Sequence, residues 1–340
     1  MIRVGIVGYG LAGSVFHAPF LAADPAFGIV AIATSNAERA ASAAASHPGA
    51  RIVPDLDAVL AERPELVVLA SPPSVHREQA VAVLEEGVAV VVDKPFAPSV
   101  ADAEAIIAAS EASGAPVLVF QNRRWDADLL TLQRLLREGA LGDVLRFEST
   151  FERWSAPKTG RWQGEIGPEQ GGGILFDLGS HLVDQALVLF GPAVVTAAET
   201  SIVHPGGASE DDAFLSLLHE SGVRSHLAMS RVARASGPRF RVLGTSAAFS
   251  VDGLDPQEHA LRHGGARPDD ADFGEVPRRA WGVLTDDSGS RAVPSERGRY
   301  AAFYDGVART LLEAAPPPVD VREALAVVAV IEQAHRLAAR

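Results

Sequence analysis

The strongest constraint on the fold is the order in which the first 120 residues change texture. Short Val/Ile/Leu-rich runs alternate there with Ala-rich stretches of helical length. This is the pattern of repeated βαβ units, whose parallel strands are buried on both faces and read as near-continuous apolar segments. Strands are predicted at Arg3 to Val7, Ile29 to Ala33, Arg51 to Val53, Leu66 to Ala70, Val88 to Val92 and Val117 to Phe120, enough for one doubly wound sheet. Val100 to Ser113 reads as a helix with Ser99 as its N-cap, stopped by Gly114 and Pro116.

Gly8-Tyr9-Gly10-Leu11-Ala12-Gly13 follows the first strand directly and opens a helix. In that context GxGxxG is a dinucleotide-binding fingerprint: Gly8 allows the tight turn, Gly10 admits the pyrophosphate to the backbone, and Gly13 lets helix and strand pack closely. The helix N-terminus then stabilises the anion. An NAD-preferring fold places a carboxylate about 20 residues further on. The second strand ends instead in Ala33-Thr34-Ser35-Asn36, with Arg39 beyond. Ser35 and Asn36 can donate to a 2′-phosphate and Arg39 can pair with it bidentately, so NADP(H) is expected in preference to NAD(H).

After Phe120 the texture changes to consecutive β-like segments: Val144 to Trp154, Val194 to Val203, Phe214 to Leu218, Ser225 to Val232 and Phe240 to Val251. Helices are predicted at Asp126 to Glu138, Leu175 to Phe190 and Val321 to Ala339, and 263–298 reads as a long irregular excursion. The expected organisation is an α/β Rossmann domain over 1–122 and an α+β domain with an open, mainly antiparallel sheet over 123–340. One apolar face of that sheet is expected to be covered in a homodimer or homotetramer.

A net charge of −13 without a basic run argues against nucleic acid or an anionic membrane as the main partner. The chain has no cysteine, no helpful metal-ligand spacing among its histidines, and no run of about 18 apolar residues, so neither a metal site nor a membrane span is expected. The expected location is the cytoplasm.

Two lysines, Lys94 and Lys158, stand against 28 arginines. Lys94 sits in Val90-Val91-Val92-Asp93-Lys94-Pro95, where an apolar strand runs out into a loop. A lysine ammonium is a compact point charge that a guanidinium cannot replace, so its retention there points to chemistry. The other unusual stretch is Gly171-Gly172-Gly173-Ile174-Leu175-Phe176-Asp177-Leu178-Gly179-Ser180-His181. Asp177 and His181 are spaced i and i+4 on one helix face. A carboxylate beside an imidazole makes a candidate general base for an alcohol proton. Arg123, Arg124, Trp125, Arg153, Trp154, Arg161 and Trp162 are candidate substrate contacts.

These segments carry a family resemblance. The glycine cradle, Ser71-Pro72-Pro73-Ser74-Val75-His76, Asp93-Lys94-Pro95, Asn122-Arg123-Arg124-Trp125 and Gly173 to His181 resemble, in order and spacing, the Gfo/Idh/MocA family of oxidoreductases. Phe16-His17-Ala18-Pro19, Gln121 to Asp128, Asp184-Gln185 and Gly253 to Glu258 are most similar to its branch of NADP-linked scyllo-inositol dehydrogenases. The resemblance spans essentially the whole chain.

It implies that Lys94 binds the substrate oxygen, that His181 is the general acid/base, and that Asp177 supports it and contacts substrate. It also implies that Pro95 and the loop Ser71, Pro72, Pro73 to His76 flank the nicotinamide, with Asp93 and Asn122 in the cofactor set. Asp93 replaces the commoner Glu of this motif, which keeps the charge but alters positioning. The implied reaction is hydride transfer between nicotinamide and a cyclic polyol, inositol or sugar. The alternatives are a dihydrodiol or imine-type substrate, or a non-catalytic cofactor-binding regulator.

Overall fold

The computed structural model describes residues 1–156 and 166–339. Two compact units form, one from Met1–Gln121, His259–Phe273 and Tyr300–Leu325, the other from Asn122–Glu258, Gly274–Arg299 and Ala326–Arg340. This differs from a single cut after residue 122, because two later segments return to the first unit. Aromatic packing explains part of the return. The helix Ala301–Glu313, which the sequence reading did not single out, stacks Phe303 on Phe120 with ring centroids 4.8 Å apart and brings Tyr304 onto Phe27 at 5.7 Å. Such pairs contribute beyond their buried area.

In the first unit, β1 (Ile2–Val7), β2 (Phe27–Ala33), β3 (Arg51–Val53), β4 (Leu66–Leu69), β5 (Ala89–Asp93) and β6 (Val117–Phe120) pair in the order β3-β2-β1-β4-β5-β6. All pairings are parallel. Every residue of β4 and β5 is buried, as central strands covered on both faces require. The strand order reverses between β1 and β4, and ligands of doubly wound sheets bind outside the carboxyl ends of the strands at such a switch point.

The second unit contains an eight-stranded sheet. Its strands are β7 (Val144–Glu152), β8 (Ala193–Ser201), β9 (Asp212–His219), β10 (Arg224–Ser230), β11 (Phe240–Gly244), β12 (Ala248–Val251), β13 (Val283–Asp286) and β14 (Gly289–Ala292), in the order β14-β13-β12-β11-β7-β10-β9-β8. Only the β7–β10 pairing is parallel. Two features depart from the sequence reading. Phe240 to Val251 is a hairpin, because the backbone turns at Thr245 and Ser246, whose N–H groups donate to the carbonyls of Asp143 and Leu141. The excursion at 263–298 contains the hairpin β13–β14, whose second strand is exposed throughout and so carries no apolar alternation.

Along β7 the inward positions Phe147, Ser149 and Phe151 alternate with outward ones. Phe147 and Phe151 join Phe176, Leu182, Phe240, Phe249 and Ile331 in one core. The outward face is mixed where the sequence suggested an apolar one: Arg146 and Arg241 flank Glu148 at 2.8 and 3.0 Å, and Leu218 lies exposed on β9. Among the described residues no helix is long and apolar enough to cross a membrane. None of their His, Cys, Asp and Glu side chains form a group of three or more that could hold a metal ion.

Candidate active site

The cradle in the first unit follows from its glycines. Gly8 has φ +95°, and a Cβ there would come 2.6 Å from the Ala70 carbonyl oxygen at the end of β4. A Cβ on Gly13 would collide with the Gly8 carbonyl oxygen. The turn therefore tolerates no side chain at either position, and it leaves the strand-end backbone open to a phosphate group as the fingerprint requires. Beyond it the chain forms a wide π-type turn, Ala12–His17, before the helix Ala18–Ala23. Ser14 donates to the Gly10 carbonyl at 2.7 Å. Tyr9 is buried, with its ring edge-on to His47. Leu11 is exposed.

The residues after β2 divide their roles. The Asn36 side chain caps the helix Ala37–Ser46 by accepting from the Arg39 N–H at 2.9 Å. The Arg39 side chain turns back over the cradle, with Nη1 3.6 Å from where a Gly10 Cβ would stand. Ser35 is exposed at the strand end. A cation beside the cradle and no carboxylate at this strand end fit a phosphorylated ribose.

The loops after β4 and β5 are tied together by His76. Its Nε2 lies 2.9 Å from the Ser71 carbonyl, and its Nδ1 lies 3.1 Å from that of Pro95 and 3.2 Å from that of Phe96. Burial holds the His76 pKa below its ordinary value, although those carbonyls and Asp93 pull the other way. Ser71 donates to Gln79 at 2.6 Å, and Pro72 and Pro73 lead into a single 3₁₀ turn, Pro73–Val75. Lys94 stands one residue past β5, and its peptide bond to Pro95 is cis. Its backbone N–H donates to the Asp93 carboxylate at 2.8 Å.

In the second unit Asp177 lies in a π-type turn, Leu175–Gly179, and His181 in the first turn of the α-helix Ser180–Phe190. The simple i, i+4 face expected from sequence is thus interrupted by a wider turn. Such turns recur at functional sites. Arg231 of β10's C-terminal extension donates to Asp177 Oδ2 at 2.6 Å, and Arg153 lies 3.9 Å from the same oxygen. The turn is anchored by Glu210, whose carboxylate accepts from the Leu175 N–H at 3.1 Å and lies 3.3 Å from His335 Nε2. Gly173, with φ +98°, leaves room for that carboxylate, since a Cβ there would collide with it.

Asn122, Arg123, Arg124 and Trp125 form a 3₁₀ turn directly after β6. Arg124 makes a fork with Asp184, at 2.6 Å from Nη2 and 2.9 Å from Nε. Arg123 pairs with Glu258 at 2.5 Å and with Asp126 at 3.3 Å. These guanidinium groups are therefore held by carboxylates of their own unit. Trp154 is exposed under the Arg234 guanidinium, 4.5 Å from the ring centroid. Arg161, Trp162 and Lys158 lie outside the described residues. The sequence reading missed Arg231, Glu210 and Arg239. Only the register of β9 to β11 brings them in, and no local motif marks them.

The model of the oxidoreductase family with a NAD-binding Rossmann fold, Gfo/Idh/MocA, matches residues 2–121, and the Gfo/Idh/MocA C-terminal domain matches residues 129–250. The chain belongs to the Gfo/Idh/MocA family of oxidoreductases. Within this family it is 34% identical to the scyllo-inositol 2-dehydrogenase (NADP(+)) IolW of Bacillus subtilis (strain 168), over 98% of this chain and 92% of that protein. It is 35% identical to the D-apiose dehydrogenase of Paraburkholderia graminis over 62% of this chain and 56% of that protein. The solved structure of the oxidoreductase YvaA from Bacillus subtilis superposes with a TM-score of 0.93 at 32% identity, covering 99% of this chain and 96% of that one.

Proposed function

We propose that this Gfo/Idh/MocA oxidoreductase is an NADP(H)-linked dehydrogenase of a cyclic polyol, inositol or sugar. The observation that carries the reading is Lys94, one of two lysines in the chain, at the carboxyl end of a central Rossmann strand. It is supported by the 34% identity to a scyllo-inositol dehydrogenase over nearly the whole chain. Arg39 beside Gly10 supports the phosphorylated cofactor.

Gly8, Gly10 and Gly13 would hold the pyrophosphate against backbone N–H groups, and Ser35, Asn36 and Arg39 would hold the 2′-phosphate. The loops at Ser71 to His76 and at Asp93 to Pro95, with Asn122, would complete the cofactor set. When bound, the nicotinamide supplies the acceptor or donor of hydride. The Lys94 ammonium binds the reacting oxygen and stabilises the negative charge that develops on it. In oxidation His181 takes the hydroxyl proton as hydride leaves carbon, and in reduction it returns that proton. Asp177, held by Arg231, orients the imidazole and stabilises its charged form. Among the described candidates Arg153, whose contact with Asp177 is the loosest at 3.9 Å, is the arginine best suited to donate to substrate hydroxyls, since Arg123 and Arg124 are held closely by carboxylates.

The deciding experiment offers inositols, aldoses and lactones with each nicotinamide form and follows nicotinamide absorbance. Turnover of a cyclic polyol or sugar, faster with the phosphorylated cofactor, is expected. Absence of turnover with every member of that set would remove the substrate reading and favour a cofactor-binding regulator. A cytoplasmic location, where the cofactor and a cysteine-free chain are both at home, belongs to the same proposal. So does a homodimer or homotetramer, which light scattering at micromolar concentration tests.

A further inference from the structure

A buried chain of polar groups lies beneath Lys94, and the reaction as described above does not use it. His17, at the end of the π-type turn that follows the glycine cradle, has no exposed surface. Its Nδ1 lies 2.7 Å from the Tyr304 hydroxyl, and its Nε2 lies 3.8 Å from Asp93 Oδ2. Asp93 is itself buried and accepts from the backbone N–H of Lys94. The ring of His17 packs on Phe120, with centroids 4.3 Å apart. Three elements remote in sequence thus converge on one carboxylate: the cradle helix, the end of β5 and the helix Ala301–Glu313.

The 2.7 Å hydrogen bond joins Nδ1 to the Tyr304 hydroxyl, whereas Nε2 faces Asp93 Oδ2 across 3.8 Å, beyond hydrogen-bond reach, so that contact is electrostatic. Burial works to raise the Asp93 pKa, but His17, Lys94 and His76 together outweigh it and hold the carboxyl below its ordinary value. Burial, helped by Asp93, raises that of Tyr304 well above its own, so the hydroxyl keeps its proton. The groups facing the carboxylate are therefore an imidazole, an ammonium, a second imidazole and a neutral phenol.

We infer that Tyr304, His17 and Asp93 form a positioning relay, the hydroxyl hydrogen-bonded to the imidazole and the imidazole set against the carboxylate that accepts from the backbone N–H of Lys94, which fixes the strand end that presents the lysine to the reacting oxygen. The inference rests on the dehydrogenase reading for its kinetic consequence only. His17 and Tyr304 touch neither substrate nor cofactor in this scheme; they act through Asp93. The relay also joins the helix that receives the cofactor phosphates to the residue that receives the substrate oxygen, within one unit of the fold.

The test compares His17→Leu, His17→Phe, His17→Gln and Tyr304→Phe with the parent protein as full-length chains, using thermal melts and NADPH titration as controls. A displaced catalytic group costs up to about a hundredfold in rate. His17→Leu and His17→Phe should each lower kcat by about ten- to a hundredfold with KM and NADPH affinity little changed. His17→Gln, whose amide keeps a polar group facing Asp93, should recover part of that loss. Tyr304→Phe should show the smallest loss, because it keeps the ring and removes only the hydroxyl.

A pure packing role predicts instead that His17→Phe works as well as the parent, or that all variants lose stability while the folded enzyme keeps its kcat; either result overturns the relay. If the parent turns over none of the offered polyols or sugars, the dehydrogenase reading fails first. The relay is then judged by ¹⁵N imidazole shifts of His17. Shifts perturbed by both Tyr304→Phe and Asp93→Asn support it, and insensitivity to either change refutes it.

Discussion

The two units hold their chemistry in opposite ways. In the first, the proposed ligand-facing groups are backbone atoms and a few side chains at strand ends, with glycines at Gly8, Gly10 and Gly13. In the second, arginines and carboxylates are bound to one another. Arg239, almost fully buried, donates to Ser149 at 2.7 Å and lies 3.2 Å from Asp128, while its other nitrogen reaches Gln185. Gln185 in turn donates to the Arg123 carbonyl at 3.0 Å. The Rossmann unit reads a ligand through main-chain geometry. The open-sheet unit instead pre-orients charged side chains by pairing them, because unpaired charges at that depth would be costly.

The contrast fails first at the proposed catalytic pair, where the largest effects are expected. His181→Ala should lose about 10² to 10⁴ in turnover with NADPH affinity nearly unchanged. Lys94→Arg should fold and bind cofactor yet lose most turnover, since the planar fork cannot take the place of an ammonium. Near-parent rates in both variants would place the chemistry elsewhere.

Next in size is the paired network itself. Arg239→Leu leaves Asp128 buried beside no cation, which should cost about 3 to 5 kcal/mol of stability by urea unfolding. A loss under about 1 kcal/mol would show that the network is dispensable.

Asp255 sharpens the comparison through pH. Burial, with Asp128 nearby, raises its pKa from 3.8 to about 6, while its oxygens accept from the N–H groups of Ala127 and Gln257. The folded state therefore binds this proton more tightly than the unfolded state does. The resulting stability is complete below about pH 4 and is lost as pH rises through about 6, a range worth up to about 3 kcal/mol. The stability of the parent relative to Asp255→Asn should therefore fall mainly between about pH 4 and pH 6. A constant difference across that range would contradict the assignment.

The smallest expected effect belongs to the first unit. Arg39→Ala should narrow the preference for NADPH over NADH by roughly ten- to a hundredfold, the equivalent of about 1.5 to 3 kcal/mol for a charge-assisted pair. Equal titrations of both cofactors with the parent protein would show that Arg39 does not read the 2′-phosphate.

The same contrast explains what the sequence disclosed. Each strand of the first sheet lies within two residues of its expected position, because buried parallel strands read as near-continuous apolar runs. The glycine cradle and Lys94 were legible for the same local reason. Arg231, which holds Asp177 from 54 residues away, and Glu258, which holds Arg123 across 135, were not, since long-range pairing depends on sheet register. The helix Ala301–Glu313 was missed although it is amphipathic, and with it went the relay through Tyr304. The hairpin β13–β14 was missed because exposed strands of four residues have no periodicity to read.

Lys94 has one more property, which concerns observation and not catalysis. With only Lys94 and Lys158 bearing side-chain amines, reductive methylation with ¹³C-formaldehyde would place isotopic methyl groups on two side chains while preserving their charge. The Lys94→Arg protein would assign the Lys94 signal by deletion, beside those of Lys158 and the α-amino group. In the proposed mechanism a labelled amine thus stands at the end of β5, where it reports on cofactor binding in a chain of 340 residues.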